Sequence, residues 1–72
     1  MIIVAGRIRV TPGRRDAFLA SSRQAMLEAR SAPGCRDFVV AADPIEPDRV
    51  NVDEKWETES ELASLRGSGP TQ

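Results

Sequence analysis

Two residues in this chain have the type and spacing for chemistry on a small organic molecule: Glu54 and Trp56, in the run Val50-Asn51-Val52-Asp53-Glu54-Lys55-Trp56. Read as a strand, the run has a period of two, which puts Val50, Val52, Glu54 and Trp56 on one face. Glu54 is then a carboxylate among apolar neighbours, and desolvating a carboxyl group is one way proteins bring a general base towards neutral pH. Trp56 offers a flat wall for an aromatic ring and an indole N–H donor. Each has a plainer reading. Glu54 could reach a rim and pair with an arginine or cap a backbone group. Trp56, the single tryptophan, could be the largest core side chain and a ligand wall at once.

The other reactive side chains point to structure. Cys35 has no histidine anywhere in the chain to activate it and reads as a small buried hydrophobe. Arg7 and Arg9 could hold an anion, but salt bridges to Asp53 on a neighbouring strand are the preferred reading. Glu57, Glu59 and Glu61 straddle the end of a strand and the start of a helix, so they read as solvated charges favouring the helix N-terminus and not as metal ligands. With one cysteine and no histidine, neither a disulfide framework nor a Cys/His zinc cluster can be built.

The elements that must position Glu54 and Trp56 follow from the pattern. Ile2 to Val10 alternates, with Ile2, Val4, Gly6, Ile8 and Val10 on one face and Ile3, Ala5, Arg7 and Arg9 on the other, which predicts a first strand. Thr11-Pro12-Gly13 predicts the start of a helix, with Thr11 as N-cap and Pro12 in the first turn. Between Arg14 and Ala32, Phe18, Leu19, Ser22, Ala25, Met26 and Ala29 form one stripe, and Leu27 and Ala20 lie off it. Pro33-Gly34 ends the helix.

Cys35 to Ala42 and Arg49 to Trp56 are then strands, joined through Asp43-Pro44-Ile45-Glu46-Pro47-Asp48 as a hairpin. Thr58-Glu59-Ser60-Glu61 has the form of a capping box ahead of Leu62, Ala63 and Leu65, and the run from Arg66 to Gln72 cannot carry a helix and should fray. The order β-α-β-β-α is five sixths of a ferredoxin-like α+β fold, with the third strand between the first two. No closing strand follows, so either the chain is a fragment or a partner segment takes that place.

At 72 residues the chain holds one domain, 1–72, and buries too little apolar surface to have much stability in reserve, so a homodimer is expected. Ten basic and eleven acidic side chains give a net charge of −1, with no electrostatic footprint for nucleic acid. The apolar N-terminus is too short for a signal core or a membrane span, so no membrane partner and a cytoplasmic location are the default expectation.

Glu54-Lys55-Trp56-Glu57-Thr58 resembles the E-x-W-x-[ST] signature of the antibiotic biosynthesis monooxygenase family, at the passage from strand three to helix two. Ala32-Pro33-Gly34-Cys35 is similar to the P-G-[CF] turn that ends helix one there, and Val10-Thr11-Pro12-Gly13 is a third landmark in the right order; the resemblance covers nearly the whole chain. It implies a dimeric α+β barrel in which two sheets pack face to face, with a small apolar cavity between each sheet and its own helices. It also implies cofactor-free oxygenation of a small aromatic such as a quinol or polyphenol. Trp56, Val52 and Phe18 would line the substrate site and Glu54 would be the catalytic base, with no cofactor and no metal.

Three departures shape that expectation. The absence of histidine, together with Gly6 where the haem-degrading branch carries an Asn, argues against haem breakdown. Val52 stands where the quinone-forming branch carries an Asn, and Asn51 faces the other way unless a bulge shifts it. The closing strand is missing. The alternative reading is therefore a non-catalytic dimer of the same fold that binds a small ligand or serves as an accessory protein.

Overall fold

The structure, a computed structural model, describes residues 1–67; of the run from Arg66 to Gln72 expected not to carry a helix, Arg66 and Gly67 are helical, contrary to that expectation, and Ser68 to Gln72 lie outside the described residues. Its elements are β1 (Ile2–Arg9), α1 (Arg15–Arg30), β2 (Cys35–Ala42), β3 (Arg49–Trp56) and α2 (Glu59–Gly67). The strands form one antiparallel sheet in the order β1-β3-β2, so the last strand of the chain is the central one. This is the ferredoxin-like α+β arrangement expected from the sequence, up to its fifth element. α1 packs chiefly on β2 and α2 on β3.

Register fixes which side chains meet under the helices. Ile2 stands opposite Trp56, Val4 opposite Glu54, Gly6 opposite Val52 and Ile8 opposite Val50. On the other flank Cys35 faces Trp56, Phe38 faces Glu54 and Val40 faces Val52, with a bulge between Cys35 and Asp37. Strict alternation from Cys35 would turn Phe38 to the opposite face; the extra residue restores it to the helix side. Ala29, Val50, Trp56 and Leu62 make up the buried apolar core, and Trp56 and Val50 are its fully enclosed members. The other face of the sheet is not covered by the helices and presents Ile3, Ala5, Arg7, Asn51, Asp53 and Lys55 together.

The entry to α1 differs from the sequence expectation. Thr11 does not cap the helix: its carbonyl accepts the Arg14 N–H at 2.9 Å, closing a turn in which Gly13 takes φ +83°. Arg14 is the N-cap, without a side-chain capping bond, and Pro12 lies before the helix. A residue at positive φ cannot sit inside a right-handed helix, so the helix starts only after Gly13. Along α1 the stripe holds for Phe18, Leu19, Ser22 and Met26, which are half-buried, and Ala29, which is buried; Ala25 is exposed, and Leu27 is exposed as expected.

Arg15 ties the start of α1 to the hairpin, its Nη1 donating to the carbonyls of Asp43 (3.0 Å), Glu46 (2.9 Å) and Arg49 (3.4 Å). The turn is further held by Asp43, whose Oδ2 accepts the N–H groups of Ile45 (3.0 Å) and Glu46 (2.8 Å). Asn51 donates to Asp43 Oδ1 at 2.9 Å and accepts from Arg49 Nε at 2.7 Å. These donors hold the Asp43 carboxyl down at about 2, against an ordinary 3.8.

Candidate functional site

The middle of β3 carries the candidate site. Glu54 is 4% exposed, the one buried charged residue among the described residues. It is enclosed because it points from the central strand towards α2, between Val4 and Phe38 on the flanking strands. Both carboxylate oxygens have donors: Trp56 Nε1 donates to Oε1 at 3.0 Å, and Arg66 Nη2 donates to Oε2 at 2.7 Å. The first bond joins two residues on the same strand face, as period two requires. The second comes from the last turn of α2 and is an ion pair with one buried and one half-exposed end.

A buried carboxylate is tolerated where it is paired and hydrogen-bonded, and this one is both. Of the two readings the sequence allowed for Glu54, the structure realises the pairing with an arginine. Trp56 is completely enclosed and spends its N–H on Glu54, so it is a core residue first. Val52 lies next along the same face, half-buried, opposite Gly6 and Val40. Phe18 sits elsewhere: it lines a groove between the end of β1 and α1 with Ile8, Val10 and Arg14, whose walls include neither Glu54 nor Trp56. The structure thus joins Glu54 to Trp56, sets Val52 beside them, and leaves Phe18 apart.

Sequence reasoning missed Arg66. The signal was there: Arg66 follows Leu62 by four, which places it on the same stripe of α2 as a buried leucine, and a basic residue there must find an acid or reach for water. The salt bridges expected between Arg7 or Arg9 and Asp53 do not form in the described residues. Ala5 pairs with Asp53, and Arg9 bonds Glu46 and Asp48 across the hairpin loop. Asn51 is confirmed on the opposite face from Glu54 and is committed to Asp43 and Arg49. The Cys35 thiol, half-buried, is pushed up chiefly by burial, with Sγ 3.5 Å from the Asp37 carbonyl. No group of three potential metal ligands clusters among the described residues.

The junction that supports the site joins two distant parts of the sequence. Glu57 N–H donates to the Gly34 carbonyl at 2.8 Å, so the Pro33-Gly34-Cys35 turn abuts the exit from β3. Thr58 caps α2: its hydroxyl accepts the Glu61 N–H at 3.2 Å and donates to the Glu61 carboxylate at 2.9 Å. That carboxylate rests against the α-carbon of Gly34, where a methyl group would overlap it, and Gly34 holds φ +81°.

The family model described as antibiotic biosynthesis monooxygenase matches residues 1–70. The chain belongs to this family. Among solved antibiotic biosynthesis monooxygenase folds, one named putative antibiotic biosynthesis monooxygenase, from Chloroflexus aurantiacus J-10-fl, is 36% identical with a TM-score of 0.71, covering 94% of this chain and 65% of that one. A second of the same name, from Nitrosomonas europaea, has a TM-score of 0.83 over 90% of this chain and 68% of that one; at 18% identity it speaks for the fold alone. A curated relative, the uncharacterized protein sll1783 of Synechocystis sp., is 33% identical over 61 residues, which is 85% of this chain and 42% of that protein. The chain therefore spans less than half of the curated relative. Within the antibiotic biosynthesis monooxygenase frame, two of the three stretches that carried the resemblance, Pro33-Gly34-Cys35 and Glu54 to Thr58, meet at the Gly34–Glu57 bond.

Proposed function

We propose that the chain is a cofactor-independent monooxygenase domain that acts on a small aromatic molecule, a quinol or polyphenol, as a cytoplasmic homodimer. The observation that carries this reading is the buried Glu54, a carboxylate at the centre of an otherwise apolar sheet face, in a chain of this family. In the proposed reaction a phenol gives its proton to Glu54. The phenolate passes an electron to dioxygen, and recombination at a ring carbon that bears hydrogen forms a peroxide anion, which takes the proton back from Glu54 to become a hydroperoxide. Loss of water leaves a carbonyl, so one oxygen atom enters the product, the other leaves as water, and the substrate supplies all the electrons. The protein's part is to bind, take the proton, orient the anion and keep water away. Val52 and Trp56 form the apolar surround; Phe18 would contribute only if the ligand extends towards the groove at the end of β1. The sheet face with Ile3 and Ala5 amid both signs of charge supports the homodimer, which sedimentation would show as twice the chain mass.

A second reading is a non-catalytic dimer that binds a small ligand or serves as an accessory protein. It is favoured by the full engagement of Glu54 by Trp56 and Arg66 and by the enclosure of Trp56. Dioxygen uptake over a panel of hydroquinones separates the two. Catalysis requires uptake by the wild type that falls by about two orders of magnitude in Glu54→Gln, the scale of a lost general base; no uptake with any panel member favours the second reading.

A further inference from the structure

The partner of Glu54 points to a role that rests on the reaction proposed above. Arg66 stands in the last turn of α2 with its side chain 52% exposed, while the Glu54 side chain it bonds is 6% exposed. Among the described residues, Glu54 is the one side chain its guanidinium bonds, through Nη2 alone. A guanidinium carries five N–H donors in a plane, and the bond to Glu54 engages one of them. Arg66 borders a shallow groove floored by Leu62 and Ala63, with Glu59 along it; Glu54 lies behind Arg66 and is not one of the groove's walls.

We infer that Arg66 is the counter-ion that passes from Glu54 to the phenolate when a phenol is deprotonated, and that it makes the site select ligands that ionise. Before transfer the charges are a carboxylate and a guanidinium in contact. During transfer the phenol O–H bond breaks and an O–H bond forms on Glu54 Oε2; no electron moves. Afterwards Glu54 is neutral and the phenolate oxygen lies on the Arg66 N–H groups. One ion pair exists throughout, so the proton moves without leaving an unpaired charge in a desolvated place, the costly outcome for a lone buried base. The Trp56 N–H holds Oε1 in both states and leaves Oε2 as the oxygen that receives the proton. The half-exposed Arg66 can turn towards the ligand because its stem is flexible and its bond to Oε2 is its single side-chain tie among the described residues.

The test uses 4-nitrophenol, whose anion absorbs in the visible, titrated with the wild-type chain, Arg66→Gln, Arg66→Lys and Glu54→Gln across a pH series. The wild type should bind it as the phenolate at pH values where the free phenol is mostly neutral. In Arg66→Gln the bound ligand should be roughly tenfold less ionised at a given pH, and Arg66→Lys should keep most of the ionisation because the charge remains. In Glu54→Gln the phenolate should bind more tightly than to wild type, because the anion no longer competes with Glu54 for Arg66. Circular dichroism shows whether each variant folds; if Arg66→Gln does not, the double variant Glu54→Gln/Arg66→Gln, which leaves no buried charge unpaired, carries the test against Glu54→Gln and should lose the phenolate binding that Glu54→Gln keeps. Binding of the neutral phenol only, no binding, or equal ionisation in wild type and Arg66→Gln would overturn the inference. The two proposals part cleanly: Arg66-dependent phenolate binding without dioxygen uptake leaves this inference standing and removes the oxygenation, whereas uptake indifferent to Arg66 does the reverse.

Discussion

Trp56→Phe removes the indole N–H that donates to Glu54 Oε1 at 3.0 Å and keeps an aromatic ring at a position with 0% exposure. Two losses follow. A hydrogen bond to a charged group contributes about 1.5–3 kcal/mol, and it is lost at a site that water cannot reach. The smaller ring leaves a void in a closed core, adding about 1 kcal/mol. The sum, about 2.5–4 kcal/mol, is a large part of what a small domain has, and at about 4–8 °C per kcal/mol it lowers the melting temperature by roughly 10–30 °C. In a Glu54→Gln background the acceptor becomes a neutral amide oxygen, for which the bond is worth about 0.5–1.5 kcal/mol, so the same substitution should cost about 1–1.5 kcal/mol less there. Urea denaturation followed by far-ultraviolet circular dichroism gives all four corners of the cycle without relying on the tryptophan signal that the substitution removes. Equal cost in the two backgrounds would refute the reasoning, since it would mean that the indole N–H and the carboxylate do not stabilise each other.

Gly34→Ala should cost more than Gly13→Ala although the two share φ near +80°, because a methyl at Gly34 meets the Glu61 carboxylate and one at Gly13 meets open space. Both lose about 1–2 kcal/mol for the left-handed backbone, and thermal melts should show about 1 kcal/mol more at Gly34, a gap that Glu61→Ala closes. Asp43 contributes stability that is complete above its unfolded value near 3.8 and is lost as pH falls through about 2, so melting temperature against pH should drop over that window and Asp43→Asn should flatten the drop. Arg15→Met removes three hydrogen bonds to the carbonyls of Asp43, Glu46 and Arg49. It should lower stability by about 1–3 kcal/mol in the same melts and speed amide exchange in the hairpin loop before the rest of the sheet.

The strands and the face of the candidate site were legible in the sequence because both depend on short-range periodicity. Alternation from Val50 to Trp56 was enough to put Glu54 beside Trp56, and β3 begins and ends where the alternation does. Placing β3 between its neighbours followed from chain order and strand-connection rules. What was not legible depended on register or on another element. Alternation says which face Arg9 occupies but not which residue stands across from it, and the register brings Arg49 there, leaving Glu46 and Asp48 in the loop to bond the guanidinium. Arg66 lies twelve residues from Glu54 on a helix, and its bond depends on how α2 folds back over β3. The capping pattern at Thr11 misled because a hydroxyl before proline fits a helix start as well as it fits the turn that Gly13 closes. At Thr58 the same kind of pattern read correctly, since no positive-φ residue intervenes.

The most direct test of the monooxygenase reading follows one oxygen atom. With oxygen-18 gas and whichever hydroquinone of the panel the chain consumes, mass spectrometry of the product should find one labelled oxygen per molecule formed, with the second label in water and none in hydrogen peroxide, and Glu54→Gln should suppress the labelled product. A product without label, or hydrogen peroxide accumulating in step with it, would contradict the proposal, because dioxygen would then have taken electrons without giving up an atom.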